Sequence, residues 1–140
     1  MKRVLVTGSR EWTDVATLER VLTEIAARWG QFVLIQGDNP NGADALAKAW
    51  AIRNGFPHED VPADWERECD EACAHRPRSR GGEPYCPRGG HLRNQEMVDR
   101  GADLCVAFPL PGSRGTPDCV RRARDADIPV VEFEPEQVVV

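Results

Sequence analysis

Val4-Leu5-Val6 running into Thr7-Gly8-Ser9-Arg10, Phe32-Val33-Leu34-Ile35 running into Gly37-Asp38-Asn39-Pro40-Asn41-Gly42, and Leu104-Cys105-Val106-Ala107-Phe108 running into Pro111-Gly112-Ser113-Arg114-Gly115-Thr116 share one grammar. In each, a short apolar run of strand character ends in a glycine-centred polar turn, and a helical pattern follows. Residues Asp14 to Trp29 place Val15, Leu18, Val21, Leu22, Ile25 and Ala26 at helical spacing, with Thr13 or Asp14 as the N-cap and Gly30 as the stop. Ala43 to Asn54 repeats the pattern and Gly55 closes it. Pro57 to Val61 is a third strand; Leu92 to Arg100 and Thr116 to Asp125 are helices; Asp103 to Phe108 and Ile128 to Phe133 are the last strands. Alternation of this kind predicts an α/β fold, a Rossmann-like doubly wound parallel sheet of about five strands. All strand-to-helix turns then lie on the carboxyl edge, where helix N-termini offer N–H groups and positive dipole ends to an anion.

The 140 residues suit a single domain, and 41% hydrophobic with 29% charged residues is the composition of a globular chain. A formal net charge of -5 opposes binding to duplex nucleic acid, which needs clustered excess Lys and Arg. The sequence contains neither an apolar run of about 18 residues nor a charged-then-apolar leader, so no membrane partner is expected and the cytoplasm is the expected location.

The turns supply the candidate ligand-binding residues. Gly8, Gly37, Gly42, Gly112 and Gly115 permit positive φ or close backbone approach, and Ser9, Ser113 and Thr116 add hydroxyls near helix starts. Pro117 occupies an early helical position without loss of a hydrogen bond. Arg10 and Arg93 are candidate clamps for phosphate or carboxylate. Asp44, at a helix start, either hydrogen-bonds a ribose or complements the helix dipole. Trp12 and Trp65 are either stacking platforms for a base or core and rim residues, while Trp29, Trp50 and Cys105 are assigned to the core. Cys119 is either core or adjacent to the site.

Between Pro62 and Gly90 periodicity is lost, and the stretch 62–91 is read as an insertion. Cys69, Cys73, His75, Cys86 and His91 follow the spacing C-x3-C-x-H-x10-C-x4-H. Three thiolates and one of the two imidazoles suit a tetrahedral structural zinc, which would supply folding free energy to a segment too rich in Arg, Gly and Pro to build a core. Redox-active or unligated cysteines are the alternatives. No organic cofactor is called for. Arg67, Arg76, Arg78, Arg80, Arg88 and Arg93 form a positive island that either steers a phosphate ligand, contacts single-stranded nucleic acid, or is simply solvated.

Taken in order, Val4 to Arg10, Gly37 to Asp44, Pro62-Ala63-Asp64-Trp65, Arg93-Asn94-Gln95-Glu96-Met97 and Pro111 to Thr116 resemble the YspA/YpsA-related branch of the SLOG superfamily. That superfamily also contains the LOG phosphoribohydrolases and the DNA-processing DprA/Smf proteins. The resemblance implies a nucleotide or nucleotide-derived ligand, adds Asn94 to the binding set, and suggests a homodimer, for which Leu18, Val21, Leu22 and Ile25 offer either core or interface. LOG enzymes hydrolyse the N-glycosidic bond of nucleoside monophosphates through motifs resembling R-x-x-E-M and P-G-G-x-G-T-x-E-E. Carried over, these make Arg93, Glu96 and Asp118 candidate catalytic residues, while Cys119 stands where the second glutamate would be. An oxocarbenium-like transition state requires a carboxylate and an activated water, which a cysteine does not supply. The sequence thus favours a nucleotide-binding or sensing module, with N-glycosidic hydrolysis as the alternative and single-strand binding as the weaker one.

Overall fold

The structure, a computed structural model, describes residues 1–67, 78–80, 83–86 and 88–136. Strand β1 (Lys2–Gly8), helix α1 (Val15–Trp29), β2 (Phe32–Gln36), α2 (Gly42–Asn54) and β3 (His58–Asp60) are followed by a ribbon of β4 (Arg78–Arg80) and β5 (Glu83–Tyr85). Then come α3 (Gly89–Asp99), β6 (Leu104–Phe108), α4 (Gly115–Asp125) and β7 (Val130–Glu132). The five strands outside the ribbon form one parallel sheet in the order β3-β2-β1-β6-β7. The chain leaves the centre in one direction through β2 and β3, crosses back, and continues on the other side of β1 through β6 and β7, so β1 and β6 flank the topological switch point.

Side-chain alternation sorts the two faces. Val4 and Val6 of β1 meet α1 and α2 through Leu18, Leu22, Ala47 and Trp50, while Leu5 meets α3 and α4 through Met97, Val98, Cys119 and Ala123. Leu18, Val21 and Leu22 are therefore core and Ile25 packs against it. Cys105 and Trp50 are core as expected. Trp29 is not: at the end of α1 it is 37% exposed, with the Lys2 ammonium 5.4 Å from its ring centroid.

Helix ends follow their capping residues. Asp14 caps α1, its carboxylate accepting from the Thr17 amide at 3.1 Å and the Thr17 hydroxyl at 2.6 Å. Gly55 ends α2 in the left-handed conformation. Helix α3 begins three residues before the expected Leu92, because Gly89 and Gly90 let its first turn press on Trp65; a Cβ on Gly90 would lie 2.9 Å from the indole Cη2. The short antiparallel ribbon inside the insertion has no periodic signature in the sequence. Cys69, Cys73, His75 and Arg76 lie outside the described residues. Among the described residues, no helix is long and apolar enough to cross a membrane.

Candidate functional site

Above the carboxyl ends of β1 and β6 lies a cavity of about 480 Å³. Its walls include Gly8, Ser9 and Arg10 from the turn after β1, Asp44 from α2, Arg93 and Asn94 from α3, and Gly112, Ser113, Gly115 and Thr116 from the turn into α4. Ten residues nominated from the three turns and α3 thus converge on one space.

The backbone of Ser9 organises the floor. Its amide donates to the Phe108 carbonyl at 3.0 Å, and its own carbonyl accepts from Trp12 at 3.2 Å and from Ala43 at 3.1 Å, tying β6, the β1 turn and α2 together. The Ser9 hydroxyl is already used, accepting from the Glu11 amide at 3.0 Å. Gly42 and Gly37 do not line the cavity. Gly42 has φ +73°, and a Cβ there would run into the Ser9 carbonyl and lie 2.5 Å from Arg10 Cα. A Cβ on Gly37 would lie 2.8 Å from Arg93 Cζ and 2.9 Å from Asp44 Oδ2. Both glycines make room for the residues that do face the cavity.

Two helices present their N-termini here without a side-chain cap: α2 behind Asn41 and α4 behind Arg114. The Ala43 amide of α2 is spent on the Ser9 carbonyl, whereas Gly115 and Thr116, the first residues of α4, line the cavity. Arg93 is held from within, Nη1 donating to the Gly37 carbonyl and Nε donating to Asn94 Oδ1 at 3.0 Å. Burial lowers its pKa, partly offset by Asp44. Arg10 lies at the exposed mouth, 5.7 Å from the Trp65 ring centroid.

Asp44 and Asp118 are each 8% exposed and behave oppositely. Asp44 accepts one long hydrogen bond, 3.4 Å from the Asn39 amide, and no cation among the described residues forms an ion pair with it. Burial raises its carboxyl to about 6 against the pull of Arg93, the Asn39 and Gly37 amides, and Arg10. Asp118 meets Arg121 at 2.9 Å, Arg122 at 2.9 Å, Asn94 at 3.1 Å and His91 at 3.0 Å. Burial pushes its carboxyl up, yet the hydrogen bonds from Arg122, Asn94 and His91 outweigh that and hold it below the ordinary value.

These contacts place the three candidate catalytic residues differently. Asp118 lies beneath the wall, positioning His91 and Asn94, and Glu96 lies outside, paired with Arg100 at 3.1 Å on the exposed side of α3. Of Arg93, Glu96 and Asp118, only Arg93 lines the cavity. Trp12 is buried, its Nε1 donating to the Asp14 carbonyl at 2.9 Å and its ring edge-on to Phe108, so no base reaches it. Trp65 does line the cavity. Cys119 is core, behind Thr7.

Residues 2–67, which carry the β1 turn, the α2 turn and the approach to Trp65, match the model of the family described as YspA, cpYpsA-related SLOG. The Gene 61 protein of Mycobacterium phage D29 is 38% identical over 138 residues, 95% of this chain and 97% of that protein. The chain belongs to the YspA, cpYpsA-related SLOG family. Among solved structures, the SLOG chain is similar to the molybdenum cofactor binding protein from the phototrophic bacterium Rippkaea orientalis, with TM-score 0.66, 18% identity, and coverage of 96% of this chain and 77% of that one. MurG from Acinetobacter baumannii is similar at TM-score 0.58 and 13% identity, over 96% of this chain and 35% of that one. At such identities the likeness is one of fold.

His91 is the site residue the sequence placed elsewhere. In this SLOG domain it lines the cavity with Nδ1 against Asp118, and no group of three metal-ligating side chains occurs among the described residues. Nothing in the spacing of His91 and Asp118 signals their pairing, which depends on α3 crossing α4.

Proposed function

We propose that this SLOG domain is a binding or sensing module for a nucleotide or nucleotide-derived ligand, held at the carboxyl edge of β1 and β6. The observation that carries the reading is the convergence of two N-termini without side-chain caps, α2 and α4, and two guanidiniums, Arg10 and Arg93, on one cavity at the switch point. Such a wall attracts a phosphate by dipole, amide and bidentate charge together. The remaining length of the cavity, bordered by Trp65, has room for a sugar and a base.

Binding without turnover is favoured over N-glycosidic hydrolysis. Asp118 is saturated by donors and Glu96 faces away, so neither supports an oxocarbenium-like centre or a water. Nucleoside 5′-monophosphates titrated calorimetrically into the protein test the reading, alongside base-release chromatography on the same mixtures. Saturable binding without released base is expected. Arg10→Ala, at an exposed position, should weaken it about tenfold without altering the fold. Absence of binding by every nucleotide, or stoichiometric base release, overturns the proposal.

A structural zinc in the insertion is part of the same proposal, held by Cys69, Cys73 and Cys86 with a histidine. The engagement of His91 by Asp118 favours His75 as that histidine. Metal analysis of protein purified without chelator, compared with His75→Ala and His91→Ala, tests it; zinc should be lost only in the former.

A further inference from the structure

Equal burial and unequal bonding set Asp44 apart from Asp118, which lies beneath the wall. Asp44 lines the cavity and is 8% exposed, and its carboxylate is met only by backbone amides of the β2 turn, Asn39 at 3.4 Å and Gly37, with no side-chain donor among the described residues. A carboxylate has acceptor sites for about four donors, so this one is short of partners on its cavity side. Those acceptor sites are open to donors on a ligand.

The neighbours limit what kind of donor that is. Arg93 from α3 and Arg10 from the turn after β1 both act on Asp44 electrostatically, and Cys119 of α4, Asp38 beside Arg93, and Glu11 and His91 along the cavity wall are the other titratable groups around it. Two guanidiniums repel a metal ion or an ammonium, whereas neutral hydroxyls meet no such barrier. The same guanidiniums and the N-terminus of α4 would hold the anionic end of the ligand nearby. Within the nucleotide reading, the part that carries neutral donors a few atoms from the phosphate is the pentose, whose 2′- and 3′-hydroxyls are adjacent. We propose that Asp44 accepts hydrogen bonds from the vicinal hydroxyls of a ribose, so that the cavity takes ribonucleotides in preference to 2′-deoxyribonucleotides. This rests on the nucleotide reading above and assigns its sugar.

A site built to bond a hydroxyl discriminates against the analogue lacking it, because the buried acceptor is left unpaired. The preference also depends on the carboxylate being charged. Asp44 titrates at about 6 in the free protein. The preference is therefore full above that pH and shrinks as pH falls below it. Titration of the ligand phosphate affects both sugars alike and cancels in the ratio.

The test titrates AMP, GMP, CMP and UMP and their 2′-deoxy counterparts, dAMP, dGMP, dCMP and dUMP, into wild type, Asp44→Asn and Asp44→Glu at pH 7.5 and 5. Wild type should bind at least one ribonucleotide about tenfold more tightly than its deoxy form at pH 7.5, with a smaller ratio at pH 5. Asp44→Asn and Asp44→Glu, with unchanged circular dichroism, should bring the ratio close to one at both pH values. Tight binding of both sugars with equal affinity leaves the nucleotide reading intact and overturns the role of Asp44, as does a preference that survives both substitutions. A preference set by the base alone, with GMP and dGMP equally favoured, would reassign Asp44 to a base edge and equally refute the ribose. Failure of all eight to bind overturns both readings.

Discussion

Asp118 and Asp44 begin their helices in the same way, early in the first turns of α4 and α2, and are buried to the same 8% exposure. One is met by Arg121, Arg122, Asn94 and His91; the other only by backbone amides of the β2 turn. A buried charge surrounded by donors is a piece of construction, and a buried charge without them is an acceptor kept for something else. The family motif points at Asp118 as the reactive carboxylate, yet the environment assigns that availability to Asp44.

The contrast is broken most forcefully at Asp118. Asp118→Ala leaves the buried Asn94 and the half-buried Arg122 short of an acceptor while the exposed Arg121 and His91 turn to water, and should destabilise the domain by about 2 kcal/mol in urea unfolding. A loss under about 1 kcal/mol would show that the donors find other partners. Asp44→Asn should act in the opposite direction, stabilising by about 2 kcal/mol at pH 7.5 because an uncompensated buried charge is removed. The sign follows from linkage. The folded carboxyl, raised from 3.8 to about 6, binds more protons than the unfolded one, so wild-type stability falls as pH rises between those values. The difference between Asp44→Asn and wild type should therefore fade as pH is lowered towards 4, as measured by unfolding at several pH values. Asp118, held below its ordinary value, contributes the reverse: stability present above about 4 and lost as pH falls through its folded value.

Asp14 provides an intermediate case, a half-buried N-cap with the Thr17 amide and hydroxyl and the Glu136 amide as donors. Asp14→Ala should cost about 1 kcal/mol, read from the thermal midpoint. Glu96→Ala is the smallest. Its surface pair with Arg100 contributes within about 0.5 kcal/mol, and nucleotide affinity should not change, since the side chain lies outside the cavity. A large effect of Glu96→Ala on binding would restore it to the site.

The insertion shows where sequence patterns lose their reach. Strands β1, β2 and β6 and helices α1, α2 and α4 are legible because each buries a periodic face, whereas β4 and β5 pair with each other away from the main sheet and need no such period. The early start of α3 depends on two glycines fitting under Trp65, a contact between segments rather than a pattern within one. Among site residues, the turn glycines are legible from the conformations they permit, but whether a glycine touches ligand or makes room for Arg93 is not.

By itself the sequence determined the strand–helix alternation, the parallel sheet and the gathering of three polar turns on one edge. Those follow from local periodicity and capping, and a parallel sheet with right-handed crossovers leaves its turns no other side to occupy. Only the tertiary structure decided which carboxylate is spent and which is available, that Glu96 faces outward, and that His91 belongs to the cavity wall. The charge state and availability of a buried group depend on donors brought in by other elements, here α3 against α4 and α3 against the β2 turn, and no spacing along the chain records them.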